Sequence, residues 1–123
     1  MDNLKKILVA DDDNNVLFLI SEILTRQNYE VLQAVNGDQA LQEAASLHPD
    51  LIVLDIMMPV IDGIEVCRRI KSSPETKDIK IIMLTAKTSG KDIEAGMSAG
   101  ADHYMTKPFR ITELTGKIKD LIG

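Results

Sequence analysis

Apolar residues fall along this chain in two alternating rhythms. Three short unbroken runs, Ile7-Leu8-Val9-Ala10, Leu51-Ile52-Val53-Leu54 and Ile81-Ile82-Met83-Leu84, each stop on polar groups: Asp11-Asp12-Asp13, Asp55 and Thr85. A run of Leu, Ile and Val with no polar alternation fits a strand covered on both faces, as in a parallel sheet. Between the runs the apolar residues recur at helical spacing. The pattern predicts a strand over about residues 6–10 and a helix from Asn14 to about Gln27, with Val16, Leu17, Ile20, Ile23 and Leu24 inward and acids at its start to suit the dipole. A second strand follows over Tyr29 to Ala34. Asn36-Gly37-Asp38-Gln39 reads as a turn with an N-cap, opening a helix that buries Ala40, Leu41, Ala44 and Ala45 and ends near His48-Pro49.

The third strand, within Asp50 to Asp55, runs out into Met58-Pro59. Asp62-Gly63-Ile64-Glu65 then starts a capped helix with Val66, Cys67 and Ile70 inward. Ser72 to Thr76 is a loop by composition. Ile79 to Leu84 is the fourth strand, and Lys87 to Lys91 reads as a loop. Ile93 and Met97 mark a helix over about Lys91 to Ala99, weakened by Gly96 and several small residues. Ala101 to Met105 is the fifth strand. Leu114, Ile118, Leu121 and Ile122 stripe a last helix. Strand and helix alternate throughout. The expected fold is therefore α/β, with helices on both faces of a parallel sheet and right-handed crossovers. In such folds the carboxyl ends of the strands form the ligand-binding edge.

Composition narrows the classes. The 123 residues make one domain, and 3% aromatics leave the core to aliphatic side chains. Fourteen basic against 19 acidic residues, a net charge of −5, count against a nucleic-acid surface. No apolar span has membrane length, and no signal-peptide pattern follows Met1. The single Cys67 forms no intrachain disulfide and fits a reducing compartment, so the expected location is cytoplasmic.

The chemistry lies at the strand ends. Asp11, Asp12 and Asp55 would repel one another; like charges about 4 Å apart cost ~4 kcal/mol at an effective dielectric of 20. A hard divalent cation is the natural compensation, and Mg²⁺ takes a few oxygens and keeps waters. No His/Cys cluster has zinc spacing. Lys107 offers a mobile charge for a phosphate oxygen, and Thr85 offers a hydroxyl. A carboxylate, a cation, a lysine and a threonine around one point describe phosphoryl transfer to an aspartate. No Walker loop is present, so a nucleotide donor is not indicated.

The set Asp11-Asp12, Asp55-Ile56-Met57-Met58-Pro59 with Asp62-Gly63, Thr85-Ala86 and Tyr104-Met105-Thr106-Lys107-Pro108 closely resembles the receiver domain of two-component response regulators, in order and across essentially the whole chain. The resemblance implies a three-layer α/β/α domain over residues 1–123. Its five-stranded parallel sheet would have flavodoxin-like 2-1-3-4-5 order, a (βα)5 unit without an effector domain in this chain. It implies Asp55 as phosphoacceptor. Asp12, Asp55 and the Met57 backbone carbonyl become Mg²⁺ ligands (Mn²⁺ a substitute), with Asp11 binding directly or through water. Thr85, the Ala86 backbone N–H and Lys107 would bind the phosphoryl group. Thr85 and Tyr104 form the switch, and the Lys107-Pro108 bond is expected to be cis. Met57 and Lys87 flank the path of hydrolytic water and tune the phosphoryl lifetime; neither is suited to position water, so slow loss is expected. The implied donor is a sensor histidine kinase or a histidine phosphotransfer protein. The implied output goes to a downstream protein or an effector domain elsewhere, or into a phosphorylation-dependent homodimer. The domain would be a signalling switch, not a metabolic enzyme, catalysing only its own phosphorylation and dephosphorylation.

Three rivals compete. A Mg²⁺-dependent aspartyl-phosphate phosphatase of small molecules would usually carry an acid where Met57 stands. A flavodoxin-like cofactor binder would need a phosphate-cradling loop in place of Asp11-Asp12-Asp13. An interaction module on the same fold, never phosphorylated, would not need the full constellation. Other residues take plainer roles: Asp13 as a helix-start acid, Thr106 as structural, Cys67 and Met58 as core, His48 and His103 as surface.

Overall fold

The computed structural model describes residues 4–123. Met1, noted above only as preceding no signal-peptide pattern, lies outside them. Five strands alternate with five helices: β1 Lys6–Ala10, α1 Asn14–Arg26, β2 Glu30–Ala34, α2 Gly37–Leu47, β3 Leu51–Leu54, α3 Gly63–Ser72, β4 Lys80–Thr85, α4 Gly90–Ser98, β5 His103–Thr106 and α5 Ile111–Ile122. The strands form one parallel sheet in the order β2-β1-β3-β4-β5, matching the expected doubly wound architecture. The unbroken apolar runs are β1, β3 and β4, which are the three interior strands.

Alternation along each strand divides the core in two. Leu8, Ala10, Ile52, Leu54, Ile81 and Met83 face α2 and α3, meeting Ala40, Ala44, Val66, Cys67 and Ile70. Ile7, Val9, Leu51, Val53, Ile82 and Leu84 face α1 and α5, meeting Leu17, Ile20, Leu24, Leu114 and Ile118. Each of the interior strands is therefore buried twice over, which is why none of them shows polar alternation.

Side-chain caps fix most helix starts. Asp13 stands one residue before α1 as its N-cap and accepts from the Asn15 and Val16 amides; no acid lies in the first turn itself, so the expected dipole pairing is replaced by a cap. Asn36 caps α2 through the Gln39 amide, while the Gln39 side chain accepts from Val35 N–H at 2.8 Å. Asp62 caps α3. Ser89 caps α4 through the Asp92 amide, so the helix starts at Gly90, one residue before the Lys91 that the sequence suggested. Strand β5 begins at His103 rather than Ala101, because Gly100 at φ +109° turns the chain out of α4 and the Ala101 N–H bonds back to Gly96.

Candidate functional site

All the sequence-selected groups arrive at the carboxyl edge of the sheet. Asp11 follows β1, Asp55 follows β3, Thr85 closes β4 and Lys107 follows β5. Backbone ladders extend past the strand ends to fix them: Asp11 N–H donates to Ala34 O, Asp55 N–H to Ala10 O, and Lys107 N–H to Thr85 O at 2.8 Å.

Lys107 is the hub. Its Nζ donates to Asp11 Oδ2 at 2.7 Å and to Asp55 Oδ2 at 3.1 Å. The second oxygen of each carboxylate takes a backbone N–H: Asp13 N donates to Asp11 Oδ1 at 2.9 Å, and Met57 N to Asp55 Oδ1 at 3.1 Å. Asp11 and Asp55 are buried, whereas Asp12 is exposed. Burial pushes the Asp11 carboxyl above the ordinary range, against the pull of its Lys107 and Asp13 hydrogen bonds. Burial also pulls Lys107 downward, but its bonds to Asp11 and Asp55 outweigh this and hold the ammonium above an ordinary lysine.

Carboxylate oxygens of Asp11, Asp12 and Asp55 lie within 4.8 Å of one another. The Met57 carbonyl, whose residue's N–H bonds Asp55 Oδ1, accepts no hydrogen bond from the described residues. These donors are all hard oxygens, and they fit Mg²⁺ by chemistry and by number. Cys67 is buried among core residues on α3, and the two histidines, His48 and His103, do not join the cluster.

Asp12, Ile56, Met57, Met58, Pro59, Asp62 and Lys87 line an open cleft of about 440 Å³ beside the carboxylates. Met57 is exposed; Met58 is buried in the core. Thr85 is fully buried, and its Oγ1 accepts from Lys87 N–H at 3.4 Å. The Ala86 N–H donates no hydrogen bond among the described residues. Tyr104 lies half-buried on β5, with its hydroxyl donating to the Lys87 carbonyl at 2.8 Å. Its ring lies against α4 where a Cβ on Gly96 would come within 3.0 Å of it. Burial raises the Tyr104 phenol, with Asp92 and Asp55 adding to the rise. The Lys107–Pro108 peptide is cis.

Two glycines, read from the sequence only as parts of helix starts, also pack closely against the loop after Asp55. A Cβ on Gly63 would overlap the Asp55 carbonyl oxygen, and one on Gly37 would overlap that of Ile61. Each stands directly after a helix cap, Asp62 or Asn36, and that Asx-Gly pairing is the sequence signal that marks them.

Sheet and site together define a doubly wound α/β domain with an acidic, lysine-bridged carboxyl edge. The family model for the response regulator receiver domain matches residues 7–119. The chain is 43% identical over 118 residues to the alkaline phosphatase synthesis transcriptional regulatory protein PhoP of Bacillus subtilis, covering 96% of this chain and 48% of that protein. It is 41% identical over 117 residues to the DNA-binding dual master transcriptional regulator RpaA of Synechocystis, covering 95% and 48%. The chain thus spans about half the length of the curated relatives it matches. Among solved structures, the Vibrio cholerae chemotaxis protein CheY4 superposes with TM-score 0.90 at 30% identity over 97% of this chain and 99% of that one. The receiver domain of the Pseudomonas aeruginosa sensor histidine kinase PA1611, with magnesium coordinated in its active-site cleft, superposes with TM-score 0.91 at 30% identity over 98% and 99%. The chain belongs to the response regulator receiver family of two-component signalling. Receiver domains bind Mg²⁺ at an acidic pocket and are phosphorylated by histidine kinases. No helix among the described residues is long and apolar enough to cross a membrane.

Proposed function

We propose that Asp55 accepts a phosphoryl group from a phosphohistidine of a sensor kinase or phosphotransfer protein and that the domain switches its output face in response. The observation that carries this is the Lys107 ammonium held between the buried Asp55 and Asp11 carboxylates at the sheet edge. Asp55 attacks phosphorus as the P–N bond breaks, and the leaving imidazole nitrogen keeps the electron pair. Lys107 turns from the carboxylates to a phosphoryl oxygen, while the Thr85 hydroxyl and Ala86 N–H bind another. Mg²⁺, or Mn²⁺ in its place, would be held by Asp12, Asp55, the Met57 carbonyl and Asp11, directly or through water; it supplies positive charge to the transferring group. Met57 stands where an aspartyl-phosphate phosphatase of small molecules usually carries the acid that protonates its leaving group, and the phosphatase reading is not adopted.

Thr85 and Tyr104 carry the change outward. Drawing Thr85 Oγ1 to the phosphoryl group withdraws it from the Lys87 amide, whose neighbouring carbonyl holds the Tyr104 hydroxyl. The face of α4, β5 and α5 then reports the state to a downstream protein, to an effector segment, or to a second copy. Catalysis is confined to the domain's own phosphorylation and dephosphorylation, in the cytoplasm.

The test is incubation with Mg²⁺ and acetyl phosphate, followed by mass measurement. One acid-stable, base-labile phosphoryl group is expected, absent in Asp55→Asn and absent on chelation. Labelling that persists in Asp55→Asn would overturn the assignment.

A further inference from the structure

The loop after Asp55 is anchored at both ends and strained in the middle. Its backbone folds back twice: Met58 N–H donates to Ile56 O at 3.0 Å, and Ile61 N–H donates to Pro59 O at 2.9 Å. The second turn holds Val60 at φ +73°, the centre of a γ-turn in the left-handed half of backbone space. A β-branched residue is a poor occupant of that region. Val60 is 76% exposed, so its own packing does not offset the strain.

The holding force comes from α2. Gly37 N–H donates to Pro59 O at 3.3 Å, and the Gly37 α-carbon lies against the Ile61 carbonyl with no room for a Cβ. At the other end Gly63 N–H donates to Ile56 O at 2.9 Å, and its α-carbon lies against the Asp55 carbonyl. Between these anchors stands Met57, with its N–H on the Asp55 carboxylate and its carbonyl without a donor among the described residues.

We propose that the Met57–Ile61 loop is a loaded clasp, held closed by Gly37 against the backbone strain at Val60, and that this balance sets how well the Met57 carbonyl is presented to a divalent cation. The inference rests on the cation reading given above. Gly37 and Val60 are positioning residues; the contacts that define the clasp are to the loop backbone, and neither residue is a ligand. Their substitutions act in opposite directions. Val60→Asn tolerates positive φ and relieves the strain, so Mg²⁺ binds about three- to tenfold more tightly. Val60→Thr keeps the branch and stays at wild-type affinity. Gly37→Ala pushes the loop off α2 and weakens Mg²⁺ binding by about tenfold or more.

Titration calorimetry of Mg²⁺ into each purified protein reads the dissociation constant, and thermal melts in chelator read stability separately. The ordering expected, from tightest to weakest, is Val60→Asn, then wild type with Val60→Thr, then Gly37→Ala. Melting points that move while all dissociation constants stay at the wild-type value would show a structural role only and overturn the clasp. If Gly37→Ala does not fold, Val60→Asn against Val60→Thr decides alone, and equal affinities overturn the proposal. A wild-type protein that binds no Mg²⁺ would overturn the cation reading and the clasp together, an outcome distinct from the others.

Discussion

Lys107→Met removes the one cation between two buried acids while keeping most of the side-chain stem. In the structure its Nζ bonds Asp11 and Asp55, whose side chains are only 4% and 7% exposed. One oxygen of each carboxylate lies within 4.8 Å of the other's, so at an effective dielectric of 20 the unrelieved repulsion is on the order of 3.5 kcal/mol. Protonating one acid offers a way out, costing about 1.4 kcal/mol per pH unit above an ordinary carboxyl value near 3.9. The sign follows from linkage: an acid whose folded pKa is raised loses stability as pH rises from its unfolded value through its folded one. Destabilisation of Lys107→Met should therefore be small near pH 4, grow to about 3–4 kcal/mol by neutral pH, and then level off. Asp11 in the wild type is already raised by burial, which trims the difference at the acid end. Urea unfolding in chelator at several pH values measures it. Saturating Mg²⁺ should restore much of the loss, since a ligand at a hundred times its Kd adds about 2.7 kcal/mol. A pH-independent gap between the two proteins from pH 4 to 7 would refute the reasoning.

Four other outcomes are expected. Gly116 on α5 has nothing within 4 Å of an added Cβ, so Gly116→Ala should gain about 0.8–1 kcal/mol of helix propensity, whereas Gly96→Ala should lose that gain to the Tyr104 ring; melts of both, with tyrosine fluorescence in a Tyr29→Phe background, read the contrast. The Cys67 thiol, pushed up to about 11 by burial and wholly enclosed, should react with a disulfide reagent at pH 8 only as fast as the protein opens, so labelling should accelerate with urea. Lys71 Nζ bonds Asp102 Oδ2 at 2.9 Å and Ile79 O at 2.7 Å, tying α3 to the turn before β5; Lys71→Met should cost about 1–3 kcal/mol, and adding Asp102→Asn should recover part of it in a double-mutant cycle. Met57→Asn and Lys87→Glu, both lining the cleft, should shorten the life of the phosphorylated protein, measured as phosphate release; unchanged or slower release would show that these side chains do not govern access of water.

The parts legible in the sequence were those set by burial on both faces and by capping. Strands β1, β3 and β4 declared themselves because both of their faces are covered, and the Asx residues before α1, α2 and α3 marked those starts. The start of α4 was misplaced because Gly90 looked like a breaker, although Ser89 and Asp92 stand at capping-box spacing. The start of β5 was misplaced because the turn at Gly100 takes up Ala101 and Asp102, whose carboxylate bonds Lys71 and the Ile81 amide, before the strand begins. The site residues were legible singly, since each ends a strand. What periodicity does not carry is the non-local bonding: Lys107 reaching Asp11 across 96 positions, the Lys71–Asp102 tie, and the left-handed backbone at Val60.

The division of the core by the sheet has a mechanical consequence. Leu51 and Val53 pack with α1 and α5, while Ile52 and Leu54, on the same strand, pack with α2 and α3. The two compartments hold different side chains on opposite faces of one backbone, so repacking in one need not propagate into the other. Helix α4 is attached even more lightly, since Gly96 is its one buried residue and rests on a tyrosine ring. Few of its side chains therefore anchor it, in contrast to α1 and α5, whose Leu17, Ile20, Leu24, Leu114 and Ile118 are buried in one cluster. Core truncations on opposite sides of the sheet should accordingly add in free energy, whereas those within one compartment should not.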